Sequence, residues 1–293
     1  MDFAGSYTIV AARRLIEFDT GIMRKETSPS NEDVLLREDR GPIALLTLNL
    51  PDERNALSSE LMVALQSQFD DITKSSSIKV VVIAANGPVF CAGHNIRQME
   101  RHRSDGDGGK AYFEATFEQC SALMQSIVSC PKPVIAAVEG TATAAGCQLV
   151  ATCDLAVSST EAKFCTPGVH IGLFCSTPAV AIARNVGRKR AMEMLLLGGM
   201  ISADEARDYG LINKVAPKAQ VMDVVMAMAN EIASKSSPVV ALGKSAFYEQ
   251  FDPDLAASYD RASRAMTESM MLEDAREGLN AFLEKRAPKW RDA

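Results

Sequence analysis

The stretch from Lys132 to Asp154, KPVIAAVEGTATAAGCQLVATCD, limits what this chain can fold into more than any other. Pro133 to Val138 is a continuous apolar run bounded by proline and glycine, which is how a strand buried on both faces reads. Small residues fill 141 to 146, and helical spacing resumes at Cys147, Leu149 and Val150. A strand that feeds a helix through such small side chains leaves backbone N–H groups and the positive end of the helix dipole open to a ligand. The turn therefore has the outline of an anion or oxyanion site. The same small residues would also allow a helix and sheet simply to pack closely, and this stretch alone leaves both readings open.

The rest of the chain alternates in kind. Val34 to Arg40 and Ile43 to Asn49 flank Asp39-Arg40-Gly41-Pro42 and predict a hairpin. A polar loop from Leu50 to Leu57, with Arg54 as its cation, leads to an amphipathic helix over 59–74. Lys79 to Ala84 predicts another buried strand, followed by a second small-residue turn, Val89 to Asn95, and a helix over 96–101. Residues 102–110 predict a mobile, glycine-rich loop, and 111–128 a helix. Leu155 to Ser158 and the segment around Phe164 predict strands. Thr177-Pro178 predicts an N-cap and first helical position, Ser202 to Glu205 a capping box, and Gly210 a helix stop. Beyond Pro217 the pattern is helical, an accessory layer in which Met222, Met226, Met228, Met266, Met270 and Met271 are expected to serve packing. Strands alternating with helices predict an α/β domain with crossover connections.

Composition excludes several classes. A net charge of -6 with no run of lysines and arginines argues against nucleic acid as a partner. No apolar run approaches the roughly 20 residues that cross a membrane, so no membrane span is expected. The seven cysteines, none in a C-x-x-C pair, predict buried thiols in a reducing compartment, and no metal site is expected. The first 32 residues predict a loose arm. Asp2, Glu17 and Asp19 are unlike an acid-poor transit segment, so a cytoplasmic location is expected, with the mitochondrial matrix as the alternative.

Five segments in order, Asn49 to Leu57, Phe90 to Ile96, Lys132 to Asp154, Ile201 to Leu211 and Glu277 to Arg286, resemble the crotonase superfamily, the enoyl-CoA hydratase/isomerase family, over Val34 to Trp290. Residues 144–150, 166–169 and 172–178 narrow the resemblance to one subgroup. The resemblance implies a crotonase-like (ClpP/crotonase) ββα spiral core over 33–216, with a C-terminal helical trimerisation region over 217–293. It implies an acyl-CoA substrate or ligand and no cofactor other than coenzyme A as part of that substrate. The thioester oxygen would be held by the backbone N–H groups of His94 and Ala145. Coenzyme A would lie against Arg54, Ala92, Asn95, Ile96 and Arg97, with Phe282 and Lys285 supplied by a neighbouring subunit of a homotrimer or dimer of trimers. Without the resemblance, Arg54 and Lys285 read as solvated surface charges. The His94 imidazole is expected to point outward from its turn, since only its N–H is required.

The pattern departs from the family at two positions that matter for chemistry. Hydratases of the family use two glutamates as acid and base, and these fall on Gln148 and Gly168. A carboxamide has no accessible pKa for proton transfer and glycine has no side chain. Hydration of 2-enoyl-CoA is therefore expected to be weak or absent. Two classes of function stay open: an enzyme of lipid and fatty acid metabolism performing slow hydration, decarboxylation or thioester hydrolysis, and a non-catalytic acyl-CoA binder. His102 and His170 are candidate substitute bases, Glu139 is expected to face away from the turn or cap structure, and Cys165 and Cys175 flank the expected pocket.

Overall fold

The computed structural model describes residues 34–251 and 253–292. The loose arm expected over residues 1–32 lies outside the described residues. The hairpin forms as expected, β1 (Leu35–Arg40) pairing antiparallel with β2 (Ile43–Leu48) across Gly41, whose φ of +61° suits glycine. Helix α1 (Ser59–Lys74) starts where Ser58 accepts a hydrogen bond from Leu61 N at 3.2 Å. Strands β3 (Val80–Ala85) and β4 (Val89–Cys91) follow, then α2 (Ile96–His102) and α3 (Lys110–Ser129). The segment between α2 and α3, expected to be mobile, is a run of turns tied by Asp107, which accepts from Gly109 N and Ala111 N at 2.9 and 2.8 Å.

Next come β5 (Val134–Val138), β6 (Thr141–Thr143), α4 (Ala145–Thr152), β7 (Leu155–Ser159) and β8 (Lys163–Cys165). A single 3-10 turn, Pro167–Ile171, leads to α5 (Ser176–Asn185) and α6 (Arg188–Leu197). Helix α5 begins one residue before Thr177, with Cys175 in the cap position, so the expected Thr177-Pro178 cap is corrected and Pro178 sits within the first turn instead. After β9 (Ile201–Ser202), the expected capping box forms: Ser202 accepts from Glu205 N, and Glu205 accepts from Ser202 N, at the start of α7 (Ala203–Asp208). The chain closes with β10 (Lys214–Ala216), α8 (Val221–Ala233), α9 (Ser237–Glu249), α10 (Leu255–Met271) and α11 (Glu273–Glu284).

Among the described residues a six-stranded sheet runs β1-β2-β3-β5-β7-β10 and a four-stranded sheet runs β4-β6-β8-β9. The chain visits the large sheet, the small sheet and a helical layer in turn, at β3-β4-α2, β5-β6-α4 and β7-β8-α5, which is a ββα spiral with parallel neighbours in both sheets. The apolar strands are buried on both faces because each face has its own core. Val81, Ile83, Val134, Ala136 and Val138 pack with Leu61, Leu65 and Phe69 of α1, while Val80, Val82, Ile135, Ala137 and Val157 pack with Val221, Val225 and Ala229 of α8. A one-residue slip would exchange the two sets, so the register is fixed by both cores at once. Helix α8 is thus half of the sheet's cover, where an accessory layer was expected.

The later helices differ. Lys244 of α9, 7% exposed at its side chain, donates to Asp154 at 2.7 Å and to the Ile127 and Lys132 carbonyls at 3.1 Å. Asp154 also accepts from Tyr248 OH at 2.9 Å and Val134 N at 2.7 Å, which ties α9 to the ends of α4 and β5. No residue of α10 is buried, and Met266, Met270 and Met271 are exposed, so their expected packing role is not met within this chain. Arg286 to Asp292 leaves the helical pattern, and Trp290 Nε1 donates to Ser234 O at 2.8 Å. Among the described residues, no helix is long and apolar enough to cross a membrane.

Candidate active site

The two small-residue turns both leave strands of the small sheet, not one large sheet, and they touch. Gly93 closes the first turn at φ +88°, and a Cβ there would stand 2.9 Å from Ala144 Cβ and 3.1 Å from Ala145 N. Leu57 straps this turn from the other side, donating to Gly93 O at 2.7 Å and accepting from Asn95 N at 3.4 Å. The second turn pivots on Ala144, with φ 50° and ψ −119°, a conformation that is costly for a residue with a Cβ. Helix α4 then begins at Ala145, fully buried. Neither the His94 nor the Ala145 N–H has an acceptor among the described residues. The Ala145 N–H is one of the donors that the first turn of any helix leaves open, and it lies beside the residue that precedes His94.

The two readings of the small residues apply to different atoms. A Cβ on Gly146 would lie 2.1 Å from Cys91 O, so Gly146 serves close packing of α4 on β4.

Asn55, which sequence reasoning passed over, holds the first turn in place. Fully buried at φ 50°, it accepts from Leu50 N at 2.8 Å and donates to the Asn86 and Val89 carbonyls at 2.9 and 2.8 Å. The available signal was an asparagine, a residue that tolerates the left-handed region, inside a loop joining two buried elements.

The imidazole of His94 corrects the outward expectation. Its Nε2 is buried without a partner, and its ring meets Phe117 edge to face at a centroid distance of 5.4 Å. Burial pushes its pKa down to about 4, so the ring is neutral near pH 7. Gln148, only 4% exposed and three residues beyond Ala145 on α4, also has a buried side-chain atom with no partner, Oε1.

The Gly168 position is already filled. A Cβ there would stand 2.9 Å from Cys175 Sγ and 3.1 Å from Leu173 O. Cys165 and Cys175 are buried, and desolvation pushes the Cys165 thiol up to about 11 and the Cys175 thiol also upward, which makes both poor nucleophiles. His170 is exposed and bonds Leu197 O at 2.9 Å, and His102 bonds Asp105 at 2.7 Å while stacking on Tyr112. Both candidate substitute bases are thus engaged in local structure. Half-buried Glu139 accepts a bond from Ser159 Oγ through its carbonyl at 2.9 Å.

Residues expected to meet coenzyme A fall in two groups. Arg54 is exposed and its carbonyl accepts from Ala92 N at 3.1 Å, while Asn95 caps α2 and donates to Glu53 at 2.8 Å, which brings Arg54, Ala92, Asn95, Ile96 and Arg97 to one rim. Ile96 and Arg97 are exposed there. Phe282, 80% exposed, and Lys285, in the left-handed region at φ 56°, lie at the end of α11 and make no hydrogen bond or ion pair with that rim among the described residues. Among the described residues no cluster of side chains could hold a metal ion.

Comparison with known proteins gives a consistent result. The enoyl-CoA hydratase/isomerase family model matches residues 38–293. Human enoyl-CoA hydratase domain-containing protein 3, mitochondrial, is 44% identical over 286 residues, covering 98% of this chain and 92% of that protein. The crystal structure of that human protein superposes with a TM-score of 0.81 at 45% identity, over 88% of this chain and 100% of the other. The crystal structure of an enoyl-CoA hydratase from Mycobacterium smegmatis gives 0.84 at 45% identity, over 88% and 98%. The human protein belongs to the subgroup that residues 144–150, 166–169 and 172–178 resemble.

Proposed function

This chain belongs to the enoyl-CoA hydratase/isomerase family, and from that premise we propose that it binds an acyl-CoA thioester in an oxyanion hole while hydrating 2-enoyl-CoA weakly or not at all. The observation that carries the reading is the pair of N–H groups, His94 and Ala145, on two turns in contact, with no acceptor of their own among the described residues. A thioester oxygen accepts from both and becomes a stronger acceptor as it gains enolate character. Loss of one such donor elsewhere costs about 2.7–4 kcal/mol of transition-state stabilisation, so the pair is a substantial share of any catalysis here.

The proton-handling half is missing. Gln148 orients a donor through Oε1 but transfers no proton, and Gly168 is backed by Cys175 where a side chain would project. This favours a binder, or a reaction with lighter proton demands such as decarboxylation or thioester hydrolysis, over efficient hydration. Arg54 and Arg97 suit the phosphates of coenzyme A at the exposed rim. Phe282 and Lys285 complete that site from a neighbouring subunit of a homotrimer or dimer of trimers. The exposed Tyr259, Met266, Met270 and Met271 of α10 support such an assembly, because apolar side chains of this size seldom stay bare together. The mitochondrial names of the human, rat and mouse relatives favour the matrix over the cytoplasm.

Calorimetry with coenzyme A and crotonyl-CoA, run beside crotonyl-CoA turnover by wild type and Gln148→Glu, tests the reading. Binding in the micromolar range with little wild-type hydration is expected. Robust wild-type hydration would overturn the account of Gln148 and Gly168, and absence of any acyl-CoA binding would overturn the whole reading.

A further inference from the structure

Residues 286–292 carry no helix or strand beyond the end of α11, yet they are tied on two sides. On one side they run back along α11. Glu277 accepts from both terminal nitrogens of Arg286, at 2.5 and 2.9 Å, and from Lys289 N at 2.8 Å. Asp274, 2% exposed, accepts from Arg291 N at 2.7 Å and from Asp292 N at 3.2 Å. The Trp290 ring lies against Gly278, where a Cβ would stand 3.3 Å from it.

On the other side the same residues reach the body of the fold. Trp290 Nε1 donates to Ser234 O, at the end of α8. The Asp292 carboxylate accepts from Ser237 N, the first residue of α9, at 2.8 Å and from Lys79 Nζ, at the entry to β3, at 2.6 Å. A carboxylate is favoured there because a helix leaves its first N–H groups open at the positive end of its dipole, and Lys132 lines the same cleft as Lys79 and Ser237. The Lys79 and Asp292 side chains are 20% and 29% exposed, so salt screens this pair less than one fully in water.

Among the described residues, α10 is the element packed along α11, and residues 286–292 supply its ties to α8, α9 and the large sheet. The strap starts one residue after Lys285, the left-handed reversal point, where Lys285 N donates to Phe282 O at 3.2 Å and Arg286 N to Ala281 O at 3.0 Å. How the strap is seated therefore sets where the end of α11 points.

We propose that Asp292 is a positioning residue: by closing the strap onto Lys79 and α9 it orients α11, and so aims Phe282 and Lys285 at coenzyme A bound to a neighbouring copy. The proposal rests on the acyl-CoA reading and adds to it what holds the two residues in place. Asp292 itself touches no ligand.

The test pairs hydrogen exchange with calorimetric binding of coenzyme A, on the full chain at one protein concentration. In Asp292→Ala and in Lys79→Met the α11 amides are expected to exchange about tenfold faster, the size of one lost charge-assisted hydrogen bond, while those of β3 and β5 keep their wild-type rates. Lys79→Arg, which keeps the ion pair, is expected to behave as wild type. Asp292→Ala is expected to weaken coenzyme A by about threefold or more, and to add nothing in a Lys285→Ala background, because both changes remove the same contact. Unchanged α11 exchange in Asp292→Ala and Lys79→Met would overturn the proposal. So would faster exchange with wild-type affinity, or a loss of affinity that persists in full in the Lys285→Ala background, since the strap would then serve stability alone. Absence of coenzyme A binding by wild type would overturn the acyl-CoA reading and the positioning role together, whereas normal wild-type binding with any of the preceding results overturns the positioning role only.

Discussion

Acidification is expected to destabilise this fold through His94. Its ring is desolvated, its Nε2 has no hydrogen-bond partner and its ring contact is Phe117, so nothing compensates a positive charge there. The pKa falls from the ordinary 6.5 to about 4 in the folded chain. Between those values the unfolded chain takes a proton that the folded chain refuses, so stability is full above 6.5 and is lost as the pH falls through 6.5 toward 4. At about pH 5 the folded ring is still neutral, and roughly 1.5 pH units at about 1.4 kcal/mol each give a loss of about 2 kcal/mol relative to about pH 7.5. Carboxylates and the other histidines titrate in the same range, so the measurement is a difference of differences. Urea unfolding of wild type and His94→Gln at the two pH values, at one protein concentration, isolates the His94 contribution. Wild type should lose about 2 kcal/mol more than the variant on acidification. Parallel losses, within about 0.5 kcal/mol, would mean that the imidazole is solvated after all.

Three further outcomes follow from local geometry. Lys244→Met leaves the half-buried Asp154 carboxylate without its countercharge, and should lower stability by about 2–3 kcal/mol in a denaturant titration. Ala144→Gly should raise stability by about 1 kcal/mol, because relief of the +50° φ outweighs the added freedom of the unfolded chain; a lower urea midpoint would refute the strain. Gly168→Glu should lower the melting temperature, since its Cβ starts 2.9 Å from Cys175 Sγ, and adding Cys175→Ala should restore part of the loss. If the second substitution restores nothing, the filled position is not what excludes the carboxylate.

Strong local patterns translated well into structure. The helix over 59–74, the capping box at Ser202 and the hairpin at Gly41 depend on short-range chemistry, and each stands where it was expected. The choice of the His94 and Ala145 N–H groups as a pair comes from the family resemblance, and small residues at a strand–helix turn point the same way. Other features depend on which distant segments meet. Thr141–Thr143 reads as part of a turn, yet becomes a strand because β4 and β8 flank it. The direction of the His94 ring is decided by Phe117, 23 residues on in sequence, and the occupant of the Gly168 side-chain position by Cys175. The apolar face of α8 gave no sign that it would cover the second side of the sheet. For α10, helical spacing of methionines signals an apolar stripe but says nothing about whether this chain or another covers it.

The tie between Lys244 and Asp154 makes the proposed thioester site answerable to a distant part of the chain. Asp154 stands two residues past the end of α4, the helix whose first residue presents the Ala145 N–H. Helix α9 holds that end through two side chains, Lys244 and Tyr248, and is itself packed against α10. A force or a binding partner acting on the C-terminal helices would therefore pull on the same rod that aims the Ala145 N–H. Removing those helices should loosen the site's aim without touching a residue in it, so that geometry at one end of α4 becomes a readout of events at the other.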